Sequence, residues 1–171
     1  MKGITFIGMP SSGKSTIGKL LAERLKWKFI DLDDLISQEE GIDIIELIKQ
    51  KGEKELSRFE TDYTLKQNLS DVVFSPGGSI IYSAAAMKKI REETIIIYLD
   101  VPLEEIEKRI GKHRRNQIIV GLKEKGLNDL FKERTAMYKL SADYTIDCSL
   151  FNQCFDYKAV INYVISLLPN K

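Results

Sequence analysis

Histidine and tryptophan occur once each, as His113 and Trp27, and the 171 residues contain only two cysteines and four prolines. Cys148 and Cys154 lack CxxC spacing, which argues against both a disulfide scaffold and a cysteine zinc site, so reduced thiols are expected. Neither sign of charge is in excess. Lys and Arg number 26 against 25 Asp and Glu, a net charge of +1. A nucleic-acid or membrane-surface partner would need a basic surplus on one face, so neither is expected, and any positive field must come from a few placed cations. No apolar run approaches the about 18 residues of a membrane-spanning helix. A β-rich run at the N-terminus leads directly into a glycine-containing loop, which does not read as a signal peptide. A cytoplasmic protein follows as the expectation. What remains is the balance of a globular domain: 43% hydrophobic and 30% charged residues, in a length that suits one domain spanning 1–171.

Strand and helix patterns alternate along the chain. Ile4-Thr5-Phe6-Ile7, Lys28-Phe29-Ile30, Val72-Val73-Phe74, Thr94–Leu99 and Tyr144-Thr145-Ile146 read as strands. Helical spacing follows over Lys14–Lys26, in the stretches after Asp34 and after Gly52, and over Leu103–Ile110, Leu127–Leu140 and Tyr157–Leu168. Strands in alternation with helices imply an α/β fold of three layers, a parallel sheet of about five strands with helices on both faces. The stretch 111–126 is polar, basic and weakly periodic, either a solvated basic loop or a segment able to close as a lid over a ligand.

The most informative segment is Gly8-Met9-Pro10-Ser11-Ser12-Gly13-Lys14-Ser15, followed by Thr16, which matches G-x-x-x-x-G-K-[ST] between a strand and a helix. Such a loop wraps phosphate with backbone N–H groups and aims a helix N-terminus at the anion. Lys14 is expected on the β- and γ-phosphates of ATP and Ser15 on Mg²⁺. In an open α/β sheet the ligand lies beyond the C-terminal strand ends. The second strand ends in Asp31 and Asp33, whose alternate spacing aims both carboxylates into one cleft. Asp33 is the candidate to orient an acceptor hydroxyl and take its proton, and Asp31 the candidate for a water-bridged contact to Mg²⁺. Asp34 reads as a helix cap. The third strand ends in Pro76-Gly77-Gly78-Ser79, where Gly77 and Gly78 let backbone approach a ligand.

With these landmarks the chain resembles the shikimate kinase family. The resemblance rests on GMPSSGKST, FIDLDDLI, GEKELSRFE, SPGGSII, IIIYLDVPLEEIEKRI and ERTAMYKLSADYTID, and covers nearly the whole chain. It implies a P-loop kinase acting on the hydroxyl of a small carboxylated metabolite, by resemblance shikimate, with ATP and Mg²⁺, as a monomer. By the same resemblance Arg134 binds the acceptor's carboxylate and Arg109 stacks on adenine. Ser11 stands where the phosphate loop commonly has glycine, and it is one of four positions that depart from the family pattern. Its first carboxylate-binding arginine falls on Ser57, with Arg58 one place later, a rotation of about 100° on a helix. Its third turn glycine is Ser79, and a lid arginine falls on Asn116, with Arg114 and Arg115 close by in sequence and Arg115 the candidate for a phosphate contact. Arg58 is carried as a substitute acceptor contact. Because losing a charge-assisted contact weakens binding by roughly tenfold or more, two alternatives stay open: a kinase for another small alcohol such as homoserine, or an ATP-binding regulator without catalysis.

Overall fold

The computed structural model describes residues 2–113, 119–151 and 156–168. In chain order the elements are β1 (Gly3–Ile7), α1 (Lys14–Leu25), β2 (Lys28–Asp31), α2 (Leu32–Glu40), α3 (Ile44–Lys51), α4 (Glu53–Lys66), β3 (Val72–Ser75), α5 (Ala84–Glu93), β4 (Thr94–Asp100), α6 (Leu103–His113), α7 (Leu122–Lys125), α8 (Leu127–Ser141), β5 (Tyr144–Asp147) and α9 (Tyr157–Leu167). The 3-10 turns Gly78–Tyr82 and Cys148–Phe151 follow β3 and β5.

All five strands run parallel in the order β2-β3-β1-β4-β5. Ile4 pairs with Val73 on one side and Ile95 on the other, so β1 is central, and all five of its residues are buried. That burial explains the unbroken apolar runs: a parallel strand under helices on both faces has no water side. Thr5 and Thr94, the polar residues where β1 meets β4, satisfy each other with a hydroxyl hydrogen bond of 2.9 Å. From β1 the chain leaves toward β2, and from β3 it leaves in the opposite direction toward β4. Between those two strands the connecting loops part, and a crevice opens where ligands bind in such sheets.

Two stretches differ from the sequence expectation. Ala84–Glu93 opens with three alanines and has little apolar contrast, yet forms α5; the Ser83 side chain accepts from Ala86 N–H, and Ala86, Met87 and Ile90 face the core. Helix α6 continues past Ile110 to His113, so the basic stretch expected as lid begins as helix and also contains α7. Among the described residues no helix is long and apolar enough to cross a membrane.

Candidate active site

The loop after β1 folds tightly around its own backbone. Gly13 is the N-cap of α1 at φ 95° and Ser11 sits at φ 63°, both in the left-handed region. Left-handed turns of this kind are what anion nests are built from, and the Ser12 N–H is used within the loop on the Met9 carbonyl at 3.1 Å. Lys14 is buried, and its Nζ donates to the Gly8 and Met9 carbonyls at 3.0 and 2.9 Å. Burial pushes its amine down to about 8, although Asp33 and Asp31 act to hold the charge and Arg134 adds to the fall. Ser12 Oγ is buried in the loop without a partner among the described residues, while Ser15 and Thr16 are exposed on the first turn of α1. The Ser15 hydroxyl lies 3.4 Å from that of Ser75 at the end of β3.

Asp31 closes β2 and caps α2: its Oδ1 accepts from Asp33 N–H at 3.1 Å. The cap is therefore Asp31 and not Asp34, which is exposed within the first helical turn. Capping reverses the chain between Asp31 and Asp33 and brings both carboxylates to the same cleft, by a helix start instead of strand alternation. Withdrawal from water, reinforced by the Asp31 charge, raises the Asp33 carboxyl to about 6.

That cleft, of about 170 Å³, lies between the phosphate loop, the end of β3 and helices α3, α4 and α8. Its apolar wall is Ile44, Ile48, Leu56 and Val120. Its polar side carries Lys14, Asp31, Asp33, Glu60 and Arg134. Gly77 is needed there because a Cβ would lie 2.2 Å from Glu60 Oε1, and Asp33 Oδ1 is only 3.6 Å away. A Cβ on Gly78 would press within 3.0 Å of Pro10 and 3.2 Å of Arg134 Nη1. Tyr138 fixes that peptide by donating to the Gly78 carbonyl at 2.6 Å. Arg134 is 1% exposed, and its Nη2 donates to the Val120 carbonyl at 2.8 Å.

Glu60 carries more weight than its sequence position suggests. It is buried, and the Ser79 hydroxyl lies 2.7 and 2.9 Å from its two carboxylate oxygens. Burial raises its carboxyl to about 7 and Asp33 pushes the same way, while the Ser79 hydrogen bond and the Arg134 and Lys14 charges oppose. Its signal was a lone carboxylate one helical turn after Leu56, on the apolar face of α4.

Arg58 is corrected. Its side chain is 61% exposed, ion-paired with Glu55, and packed over the Phe59 ring. The cleft receives Leu56 and Glu60 from α4, and the rotation of the helix carries Arg58 away from it. Arg109 stands beside the phosphate loop, held by Glu105 at 2.9 Å and donating to the Ser11 carbonyl at 3.2 Å. Arg115, Asn116 and Cys154 lie outside the described residues.

A parallel five-stranded sheet with this loop after its central strand defines a P-loop NTPase fold. The family model for shikimate kinase matches residues 10–168. A shikimate kinase of Sulfurihydrogenibium is 35% identical over 144 residues, covering 82% of this chain and 85% of that protein. One of Clostridium beijerinckii is 35% identical over 162 residues, covering 92% and 94%. The solved shikimate kinase of Acinetobacter baumannii in complex with shikimate superposes with a TM-score of 0.82 at 28% identity, over 98% of this chain and 92% of that one. The chain belongs to the shikimate kinase family. It is a small-molecule kinase that uses ATP.

Proposed function

We propose that the chain transfers the γ-phosphoryl group of ATP to a hydroxyl of shikimate, giving shikimate 3-phosphate. The observation that carries this reading is the convergence of Lys14, Asp33 and Arg134 on one small cleft against the phosphate loop, in a chain of this family. The loop of Gly8, Ser11, Ser12, Gly13 and Thr16 cradles the phosphates, and Lys14 leaves the Gly8 and Met9 carbonyls for the stronger attraction of phosphate oxygens. Mg²⁺ keeps most of its waters and takes few protein ligands. The Ser15 hydroxyl, with Asp31 through water, fits that demand, and no cluster of three acidic, His or Cys side chains able to hold a metal exists among the described residues. Bound there, the ion neutralises charge on the phosphates.

Asp33 orients the acceptor hydroxyl and takes its proton as the new P–O bond forms and the bond to the leaving ADP breaks. Arg134 holds the acceptor's carboxylate, with the Gly77–Gly78 backbone alongside. Arg109, beside the phosphate loop, is the proposed contact to the adenine, and Arg115 the proposed lid contact to phosphate. Family membership favours shikimate over homoserine and over a catalytically silent regulator. It does so without help from Arg58.

Following ADP release with MgATP and either shikimate or homoserine tests this. Shikimate turnover is expected, and Asp33→Asn should lower kcat by about 10²–10⁴ with the KM for ATP little changed. Turnover of homoserine alone would overturn the acceptor. Equal loss of ATP affinity and kcat in Asp33→Asn would overturn the role of Asp33.

A further inference from the structure

Arg134 is the arginine that lines the acceptor cleft, and a buried guanidinium is useful to a carboxylate only when its plane is set in advance. Three contacts bear on that plane. One is the Tyr138 hydroxyl, a hydrogen-bond partner of the guanidinium. Another is the Val120 carbonyl, from the stretch leading into α7. The third is Tyr82. Its ring lies against the guanidinium, 5.2 Å from centroid to Cζ, and its hydroxyl accepts from Arg134 Nε at 3.3 Å. The same hydroxyl donates to Glu133 Oε1 at 2.7 Å, and Glu133 Oε2 receives Lys125 Nζ at 2.5 Å. Tyr82 is 43% exposed, which is more than a residue retained only for core packing would show. It ends the 3-10 turn that begins at Gly78, so one rigid turn carries both the cleft backbone and the tyrosine.

We propose that Tyr82 is a positioning residue for acceptor binding: it holds the Arg134 guanidinium in plane through ring stacking and through a hydroxyl that Glu133 orients. Glu133 and Arg134 are neighbours on α8, about 100° apart around the helix, and the Tyr82 hydroxyl spans both. The Glu133 carboxylate draws the hydroxyl proton and leaves the phenolic lone pairs for Nε. Stacking on the ring face is favourable for a guanidinium and restricts its tilt. Nη1 lies beside Gly78, whose backbone lines the cleft with Arg134. Tyr82 makes these contacts to Arg134 and Glu133. Its influence falls on acceptor affinity and leaves phosphoryl transfer itself alone.

This inference rests on the reading that Arg134 takes the acceptor's carboxylate, and the experiment separates the two. Steady-state kinetics compare the parent protein with Tyr82→Phe, Tyr82→Ala and Arg134→Lys. Each is tested on shikimate and on its uncharged carboxamide analogue, the analogue measured by competition. Tyr82→Phe should raise the KM for shikimate about three- to tenfold, and Tyr82→Ala on the order of tenfold or more. The kcat and the KM for ATP should stay within about twofold, and the analogue should lose under about twofold. Arg134→Lys should raise the KM for shikimate as well. If it does while both Tyr82 variants leave that KM unchanged, or weaken the analogue and ATP equally, the Tyr82 proposal is overturned alone. If Arg134→Lys has no effect on shikimate, the acceptor reading of Arg134 falls, and this proposal with it.

Discussion

Ser11 occupies a left-handed position, φ 63°, within the phosphate loop, a conformation that costs a residue with a side chain about 1–2 kcal/mol. Glycine would remove that strain, but it would also add about 0.4–1 kcal/mol of unfolded-state entropy. The strain is the larger of the two. Ser11 also takes part in the loop's interactions, which the substitution puts at risk. Ser11→Gly is therefore expected to raise the melting temperature by at most about 1–2 °C, read by thermal unfolding without nucleotide; a fall would mean that those interactions outweigh the strain. At this scale the phosphate loop was readable in the sequence because its chemistry lies within nine consecutive residues. Asp31 and Asp33 were readable as a pair, though the reason offered, strand alternation, was wrong: α2 begins at Leu32 and the Asp31 cap makes the turn. Glu60 and Tyr82 were not readable as site residues. Their partners, Ser79 for one and Glu133 and Arg134 for the other, lie far along the chain, and no local pattern joins them.

At the scale of elements, the strands were legible because burial on both faces leaves runs such as Thr94–Leu99 with nothing polar to interrupt them. Helix α5 escaped because alanine favours helix without marking a face. Likewise, no periodicity could reveal how closely elements approach one another. Gly3 in β1 is the sharpest case. A Cβ there would stand 2.0 Å from the Leu69 carbonyl oxygen and 2.7 Å from that of Val72, and both are backbone atoms that cannot rotate aside. Gly111, in α6, has open space around the same position and no left-handed φ. Gly3→Ala should therefore destabilise by more than about 3 kcal/mol and lower the melting temperature by about 6–12 °C, whereas Gly111→Ala should hold or raise it. Equal behaviour of the two variants in a thermal scan would mean that β1 can shift against the segment before β3.

Across the whole molecule a net charge of +1 conceals a local concentration of charged groups of both signs. Folding a parallel sheet brings its functional loops to one edge, and there Asp31, Asp33 and Glu60 gather around Lys14 and Arg134. Removal from water makes ionising the carboxylates harder in the folded chain than in the unfolded one. Glu60 is raised to about 7 and Asp33 to about 6. A carboxyl whose folded value is raised leaves the native state holding more protons than the unfolded state between the two values, so stability declines as pH rises through that window. For Glu60 the contribution is complete below its ordinary value of 4.5 and is lost by the time pH passes about 7. Glu60→Gln keeps the shape, and its amide can still pair with the Ser79 hydroxyl, but it has no proton to lose. The variant should gain on the parent as pH is raised, by on the order of 3 kcal/mol between pH 4.5 and 8, when unfolding by urea is followed at both values. Parallel curves for the two proteins would mean that Glu60 ionises as easily folded as unfolded. In that event the cations of the cleft, and not protonation, would be what compensates its burial.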